Sequence, residues 1–311
     1  MNFRRDDSTA LFAATGLTGF IGNRFREIAA TNAPIVPLNL SGPSAEERAN
    51  KPCADNAGSP RVLFHLAGPT GQSRVVSDEE TIRQSHVDLA ERVAEELARH
   101  NYRRLVFVSS AALEAPGESR LRRSGYARGK TEAEHILAKA ALRSDIPLVI
   151  LRPTRVVGPG DRRQSLLPLM RWIARRKLVP VARDSWANFV YVDDLVAGLL
   201  KAGSGGLAEG VHAVNEPVPW TDFLEMIAAS LAVPLRSLGV SSSLLRTAAR
   251  ALAASHASRL RLAAGRLEEL GGAAPIRCET LLRDWPGFPE VGLRRGLPVL
   301  AASYRAQGLL G

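Results

Sequence analysis

The stretch that most constrains this chain is Thr15 to Gly22, which reads Thr-Gly-Leu-Thr-Gly-Phe-Ile-Gly. It follows the short apolar run Ala10 to Ala14 and precedes Ile21, Phe25 and Ile28 at helical spacing, so the local order is strand, glycine turn, helix. Gly16 lets the chain leave the strand through a tight turn, Gly19 removes a side chain that would block a pyrophosphate, and Gly22 lets the helix pack close to the sheet. The unpaired N–H groups and dipole at such a helix start favour negative charge. Two readings follow: the phosphate cradle of a dinucleotide site, or a glycine-rich turn with no ligand.

A chain of 311 residues, 45% hydrophobic, is long enough for one large or two modest domains. Cys53 and Cys278 cannot make a disulfide framework, and neither shows metal-ligand spacing with the histidines, so no metal site is expected. The polar start Met1 to Asp7 and the short, glycine-broken run after it predict neither a signal peptide nor a membrane span, and a cytoplasmic setting is the expectation. The net charge of +10 raises the question of nucleic acid. Only five of the 41 basic residues are lysines, and the arginines are scattered apart from Arg120 to Arg123 and Arg171 to Lys177. A compositional bias toward Arg and Ala, or a basic pocket for an anionic small molecule, accounts for the charge better than a nucleic-acid or membrane partner.

Pro34 to Leu40 reads as a second strand, with Asn39 near its end, where an acidic residue would grip the ribose hydroxyls of NAD. Asn39 does not repel a 2′-phosphate as a carboxylate would, so NAD and NADP both remain open. Ser41 to Ser59 reads as loop in place of another βα unit. Arg61 to Gly68 suits a buried parallel strand, and His65 in its middle reads as a hydrogen-bonded core residue. Asp78 to His100 is an amphipathic helix, and Arg104 to Ser110 a strand delivering two hydroxyls to its C-terminal end.

Tyr126-Ala-Arg-Gly-Lys130 places a phenol and an ammonium on one helical face. A neighbouring cation favours the phenolate, and lowering a phenol by about three units needs roughly 4 kcal/mol. Further on, Ile146 to Arg152 reads as a buried strand and Pro153 to Arg163 as a loop. Leu166 to Lys177 reads as helix, Val179 to Arg183 and Phe189 to Val192 as extended, and Asp193 to Ala202 as a helix closed by Gly203. Val211 to Val214 is a short strand, and Thr221 or Asp222 is the expected cap of a helix running to Leu231. Ser241 to Gly271 reads as a long helical stretch facing core, partner or substrate, then Pro275 to Pro289 leads to a last helix, Val291 to Gln307.

Six motifs now stand in order: Gly16, Gly19 and Gly22; His65 to Gly68; Val108 to Ala111; Tyr126 with Lys130; Leu151-Arg152-Pro153 running into Gly158 to Asp161; and Phe189 to Asp194. Together they resemble the extended short-chain dehydrogenases/reductases, specifically the NAD-dependent epimerase/dehydratase family, over nearly the whole chain. The resemblance implies a doubly wound α/β Rossmann sheet with a smaller, mostly helical C-terminal substrate lobe. It places the dinucleotide domain at 1–157 with 186–215 returning to it, the lobe at 158–185 and 216–311, and the substrate between them. It also implies Tyr126 as general acid/base, Lys130 as the residue that lowers the tyrosine's pKa and holds the nicotinamide ribose, and Ser110, rather than Ser109, as donor to the reacting oxygen. Implied cofactor contacts are Gly16, Gly19, Phe20, Ile21, Gly22, Asn39, Leu66, Ala67, Gly68, Tyr126, Lys130 and Pro153.

The chain also departs from the family. His86 stands where an Asn usually supports the lysine, as a polar relay or merely a helix-face residue, and the loop Glu114 to Ser124 is trimmed and basic. Ala187 stands where nucleotide-sugar members carry a diphosphate-binding arginine, with Arg183 as its candidate replacement. The expected function is NAD(P)-dependent hydride exchange at C4 of a nucleotide-diphosphate sugar, as epimerase or 4-keto reductase. The alternatives are an NADPH-dependent ketoreductase on a non-nucleotide carbonyl, and more remotely a non-catalytic cofactor-sensing or RNA-binding relative. From the resemblance alone, a homodimer through the helices near Asp78 to His100 and Tyr126 to Ala141 is expected.

Overall fold

In the computed structural model, the described residues are 12–31, 33–40, 61–69, 78–114, 124–175, 178–254 and 274–310. The loop Ser41 to Ser59, Cys53, the Arg120 to Arg123 cluster and the later part of the Ser241 to Gly271 stretch lie outside them. The apolar runs form six parallel strands: β1 (Phe12–Thr15), β2 (Ile35–Pro37), β3 (Val62–His65), β4 (Arg104–Val108), β5 (Leu148–Pro153) and β9 (Gly210–Val214), in the order β2-β1-β3-β4-β5-β9. Every residue of β1 and β3 is buried, which is what a parallel sheet covered on both faces requires. The fold class is therefore the doubly wound α/β sheet that the sequence predicts.

Three helices matter for the site. α1 (Phe20–Ala29) starts at Gly19 with no side-chain cap. α2 (Glu79–Arg99) is capped by Asp78, whose carboxylate accepts from the Thr81 N–H at 2.8 Å, with Glu79 and Glu80 in its first turn and Arg99 in its last, as the helix dipole favours. α3 (Gly125–Arg143) is capped by the Ser124 hydroxyl, which accepts from the Ala127 N–H at 3.2 Å. Ala90, Val93 and Leu97 of α2 and Ala133, Leu137 and Ala140 of α3 join Leu63, Leu105 and Phe107 in one core cluster.

The chain divides into two compact units, the first made of 1–154, 195–214 and 278–288 and the second of 155–194, 215–277 and 289–311. The second unit contains β6 (Arg155–Val157), β7 (Val179–Ala182), β8 (Trp186–Tyr191), β10 (Glu216–Pro219) and β11 (Ser237–Val240). Its helices are α4 (Leu167–Ala174), α6 (Trp220–Leu231), α7 (Ser242–Ala253) and α9 (Gly292–Ala306); α5 (Val192–Gly203) begins in it and continues in the first unit, which also holds α8 (Glu279–Asp284). β10-β8-β6 and β11-β7 are two small sheets, and Met170, Phe189, Phe223, Ile227, Leu293 and Leu297 are among the residues of the core they share with the helices.

Two local expectations are corrected. Pro153 to Arg163 is not all loop, because Arg155–Val157 pairs with β8 in register Val157 to Tyr191. Neither Thr221 nor Asp222 caps α6: the helix starts directly after β10 at Trp220, whose N–H donates to the Ser185 carbonyl at 3.1 Å, and Thr221 Oγ1 donates to Asp222 instead.

The start of α9 shows what the last residue of the Phe189 to Asp194 motif does. Asp194 is wholly buried and its carboxylate accepts from the Val291 and Gly292 N–H groups at 2.7 and 2.8 Å, while Glu216 accepts from the Leu293 N–H at 2.6 Å. Burial holds the Asp194 and Glu216 carboxyls above their ordinary range despite these bonds. Asp194→Ala strands the N–H donors of part-buried Val291 and buried Gly292 at a helix start, and at about 1–3 kcal/mol each the expected loss is about 2–6 kcal/mol, read as a lowered unfolding midpoint in urea.

Candidate active site

The strand order changes direction at β1 and β3, the place in a doubly wound sheet where a crevice opens at the C-terminal strand ends. Thr15, 1% exposed, ties the two ends together. Its Oγ1 accepts from the Leu66 and Ala67 N–H groups at 3.2 and 3.3 Å and lies 2.8 Å from His65 Nδ1, so its own proton goes to that nitrogen. His65 is thereby a core residue, stacked on Phe107, and burial with the nearby Lys130 charge lowers its pKa to about 3.

Gly16 has φ +72°, and a Cβ there would sit 2.6 Å from the Ala67 backbone nitrogen. A Cβ on Gly22 would press into the same turn, 2.7 Å from Leu17 Cα. The exposed Gly19 is different, since a Cβ would approach only the Gly16 carbonyl oxygen, at 3.3 Å. Gly16 and Gly22 are thus required by backbone contact, while Gly19 keeps the mouth of the turn clear. With half-buried Phe20 and Ile21 opening α1, an uncapped helix start and no acidic residue in its first turn, the residues present fit a dinucleotide phosphate. Leu66, Ala67 and exposed Gly68 continue from β3, exposed Asn39 follows β2, and Pro153 ends β5 in buried register with Val214.

Tyr126 and Lys130 lie one turn apart on α3. Tyr126 is half-buried against Ala112, Leu113 and Ala127. Lys130 is 5% exposed, donates from Nζ to the Val108 carbonyl at 2.8 Å and stands 4.7 Å from the centroid of the Phe107 ring. Burial lowers its pKa to about 7, against the opposing pull of Glu134. The lysine therefore grips the end of β4 immediately before the two serines. Ser109 is buried and donates to Glu134, whereas half-buried Ser110 accepts from the Ala112 N–H at 3.2 Å. Of the two hydroxyls, Ser109 is committed to the interior and Ser110 is not.

Two features went unseen in the sequence. Glu134, a further turn beyond Lys130, accepts from Arg152 Nε and Nη2 at 2.9 and 2.6 Å, and Arg152 Nη1 reaches Glu114 at 2.5 Å, so an ion-paired clamp spans α3, β5 and the short 3-10 turn Ala111–Glu114. Its signal was the regular four-residue step from Tyr126 to Lys130 to Glu134. The second is glycine at 125 and 129. A Cβ on Gly125 would sit 2.6 Å from the Glu79 carbonyl carbon, and one on Gly129 would sit 2.9 Å from Arg83 Cα, so α2 and α3 meet backbone to backbone beside the tyrosine.

In the second unit, Ala187 is fully buried on β8. Arg183 is exposed in the turn between β7 and β8, its side chain lying against Gly239. Among the described residues no group of His, Cys, Asp and Glu could hold a metal ion, and no helix is long and apolar enough to cross a membrane.

Solved structures share this fold. RMD from Pseudomonas aeruginosa complexed with NADPH aligns with TM-score 0.67 at 17% identity, covering 94% of this chain and 99% of that one. UDP-glucose 4-epimerase from Thermotoga maritima with UDP-glucose aligns with TM-score 0.64 at 15% identity, covering 96% and 99%. The NAD complex of the Thermus thermophilus UDP-glucose 4-epimerase gives 0.62 at 18% identity, covering 95% and 99%. Among curated proteins, the polyketide synthase-nonribosomal peptide synthetase ACE1 of Pyricularia oryzae is 28% identical over 155 residues, which is 46% of this chain and 4% of that much longer protein. The family model for the NAD-dependent epimerase/dehydratase family matches residues 14–209, more than half of the chain and the whole stretch from the glycine turn through Tyr126 and Lys130, and the protein belongs to that family.

Proposed function

We propose that this protein is an NAD(P)-dependent enzyme that exchanges hydride at a C–OH/C=O centre, and that the reacting carbon is C4 of a nucleotide-diphosphate sugar. The observation that carries the reading is the cluster of Tyr126, buried Lys130 and uncommitted Ser110 around the end of β4, beside the glycine turn. The first unit is the cofactor-binding part and the second contributes to substrate binding. The sugar assignment is supported by the UDP-glucose complex among the similar structures.

A nicotinamide dinucleotide held by the glycine turn, Tyr126 and Lys130 would supply the hydride acceptor or donor at the reacting carbon. The chain's own part is proton transfer. Tyr126 Oη takes the proton of the substrate hydroxyl as the carbon loses hydride, or gives it to the carbonyl oxygen in the reverse direction. Lys130, held by the Val108 carbonyl, favours the phenolate when it carries its proton, and Ser110 Oγ donates to the substrate oxygen as charge builds there. An epimerase runs the step twice on opposite faces of the sugar, and a reductase once.

Tyr126→Phe keeps the ring contacts and deletes the proton carrier, so turnover is expected to fall by roughly 10²–10⁴-fold with the unfolding temperature unchanged; retained turnover would sink the mechanism. Ligand identity is tested by thermal shift with NAD, NADP, UDP and UDP-sugars, since a ligand at 100 times its Kd adds about 2.7 kcal/mol. A larger shift with NADP than with NAD would assign the cofactor that exposed Asn39 leaves open. One observation favours a second reading: buried Ala187 offers no charge for a diphosphate. A ketoreductase on a non-nucleotide carbonyl would consume NADPH and give no shift with any uridine ligand.

A further inference from the structure

Four charges of alternating sign run inward through the first unit, and the mechanism above uses only the last of them. Glu114, at the end of the 3-10 turn, has 37% of its side chain exposed and Arg152 on β5 has 20%, while Glu134 and Lys130 on α3 are buried. The contacts follow that order. Arg152 Nη1 donates to Glu114 at 2.5 Å, Arg152 Nε and Nη2 donate to Glu134 at 2.9 and 2.6 Å, and Glu134 stands one helical turn beyond Lys130 on the buried side of α3. Ser109 Oγ donates to the same Glu134 carboxylate, so three donors fix its place.

The surroundings of the ammonium make Glu134 its counter-charge. β4 offers it the Val108 carbonyl and the Phe107 ring, neither of them charged. His65 of β3 and His86 of α2 face it, and burial together with the lysine's own charge keeps both imidazoles neutral. Tyr126, one turn earlier on α3, is the phenol whose proton is exchanged. Burial works against the ammonium, and Glu134 is the carboxylate that opposes that effect. A guanidinium bonded to Glu134 alone would cancel the carboxylate's field at the lysine. Glu114 prevents this, because two carboxylates against one guanidinium leave one net negative charge in the cluster.

We infer that Glu134, set by Arg152 and Glu114, is a positioning residue that supplies the Lys130 ammonium with its counter-charge through the protein and so holds a cation beside Tyr126. The effect on rate rests on the hydride-exchange reading proposed above; the electrostatic link between the four side chains does not.

The test is a pH titration of protein labelled with ¹³Cε-lysine. The chain has five lysines, and Lys130 is assigned by the resonance that Lys130→Met loses. Wild type, Glu134→Gln and Glu114→Gln are compared. Glutamine keeps the length and an acceptor oxygen but removes the charge, so a part played by shape alone predicts no change. Lys130 is expected to titrate near pH 7 in wild type, about one pH unit lower in Glu134→Gln, and lower by a smaller amount in Glu114→Gln, with the alkaline limb of kcat/KM moving the same way. An unmoved Lys130 midpoint in folded Glu134→Gln would overturn the inference and leave the hydride reading standing. A midpoint lowered in Glu134→Gln but unmoved in Glu114→Gln would overturn the part assigned to Glu114. If Glu134→Gln does not fold, the exposed end of the cluster decides: a lowered midpoint in Glu114→Gln supports the inference, and an unmoved one overturns it. Lowered midpoints in a protein that turns over no hydroxyl or carbonyl substrate with either nicotinamide cofactor would keep the electrostatic link and overturn the hydride reading.

Discussion

Lys130→Met is expected to make the protein more stable and nearly inactive. The ammonium is 5% exposed, and its pKa of about 7 against an ordinary 10.5 means that the fold disfavours its charged form. At 1.36 kcal/mol per unit the burden at neutral pH is of order 4 kcal/mol. Methionine fills the same channel beside Phe107 without a charge and gives up one hydrogen bond to the Val108 carbonyl, worth about 1 kcal/mol. A rise in Tm of a few degrees is expected, with kcat lower by roughly 10²-fold or more because the phenolate loses its cation. The pH dependence gives the sign independently. The unfolded chain holds the lysine proton up to about 10.5 and the folded one only to about 7, so over that window the unfolded state binds more protons and wild-type stability climbs with pH. Thermal scans from pH 6 to 10 should show the advantage of Lys130→Met shrinking as pH rises. A variant less stable than wild type at pH 6 would refute the account.

Gly125→Ala is expected to be far more damaging than an exposed Gly-to-Ala change in a helix, which ordinarily helps by up to about 1 kcal/mol. The added methyl meets the Glu79 backbone 2.6 Å away at the carbonyl carbon, and the Gly125 N–H also donates to the Glu79 carboxylate. No rotamer relieves a backbone contact, so the start of α3 must move from α2. We expect a loss of about 3 kcal/mol, at the upper end of overpacking costs, and because Tyr126 is the next residue, a fall in kcat beyond what instability explains. Urea unfolding and turnover at low temperature separate the two effects. A variant as stable and as active as wild type would show that the helices have room to part.

What the sequence displayed was local. The glycine turn, the pairing of Tyr126 with Lys130, the core role of His65 and the strand runs all rest on spacings of a few residues, and all have the secondary structure those spacings predict. What it concealed joins positions far apart. Nothing near Asp194 announces that it caps a helix 97 residues later, and nothing near Glu134 announces Arg152. The expected cap at Thr221 or Asp222 failed for the same reason, because a neighbouring carbonyl from Ser185 serves the first turn of α6. Gly125 and Gly129 read as weak points of a helix, whereas the partner they admit lies some fifty positions away, and a backbone's proximity leaves no mark on composition. His86 was legible as a residue of the inner helix face, and it is buried there.

The parallel sheet has a consequence for how the chain is made. Its last strand, β9, is synthesised only after β6, β7 and β8 of the second unit, yet it pairs along β5 from Val149–Gly210 to Pro153–Val214. Until then β5, with all but one residue destined for burial, is an open edge with unpaired backbone groups, the kind of surface that recruits strands from other chains. The nascent protein must carry that edge while some fifty further residues emerge from the ribosome, and a non-local pairing of this kind closes slowly. A fragment ending at Thr154 would keep the glycine turn, Tyr126 and Lys130 and still be born sticky.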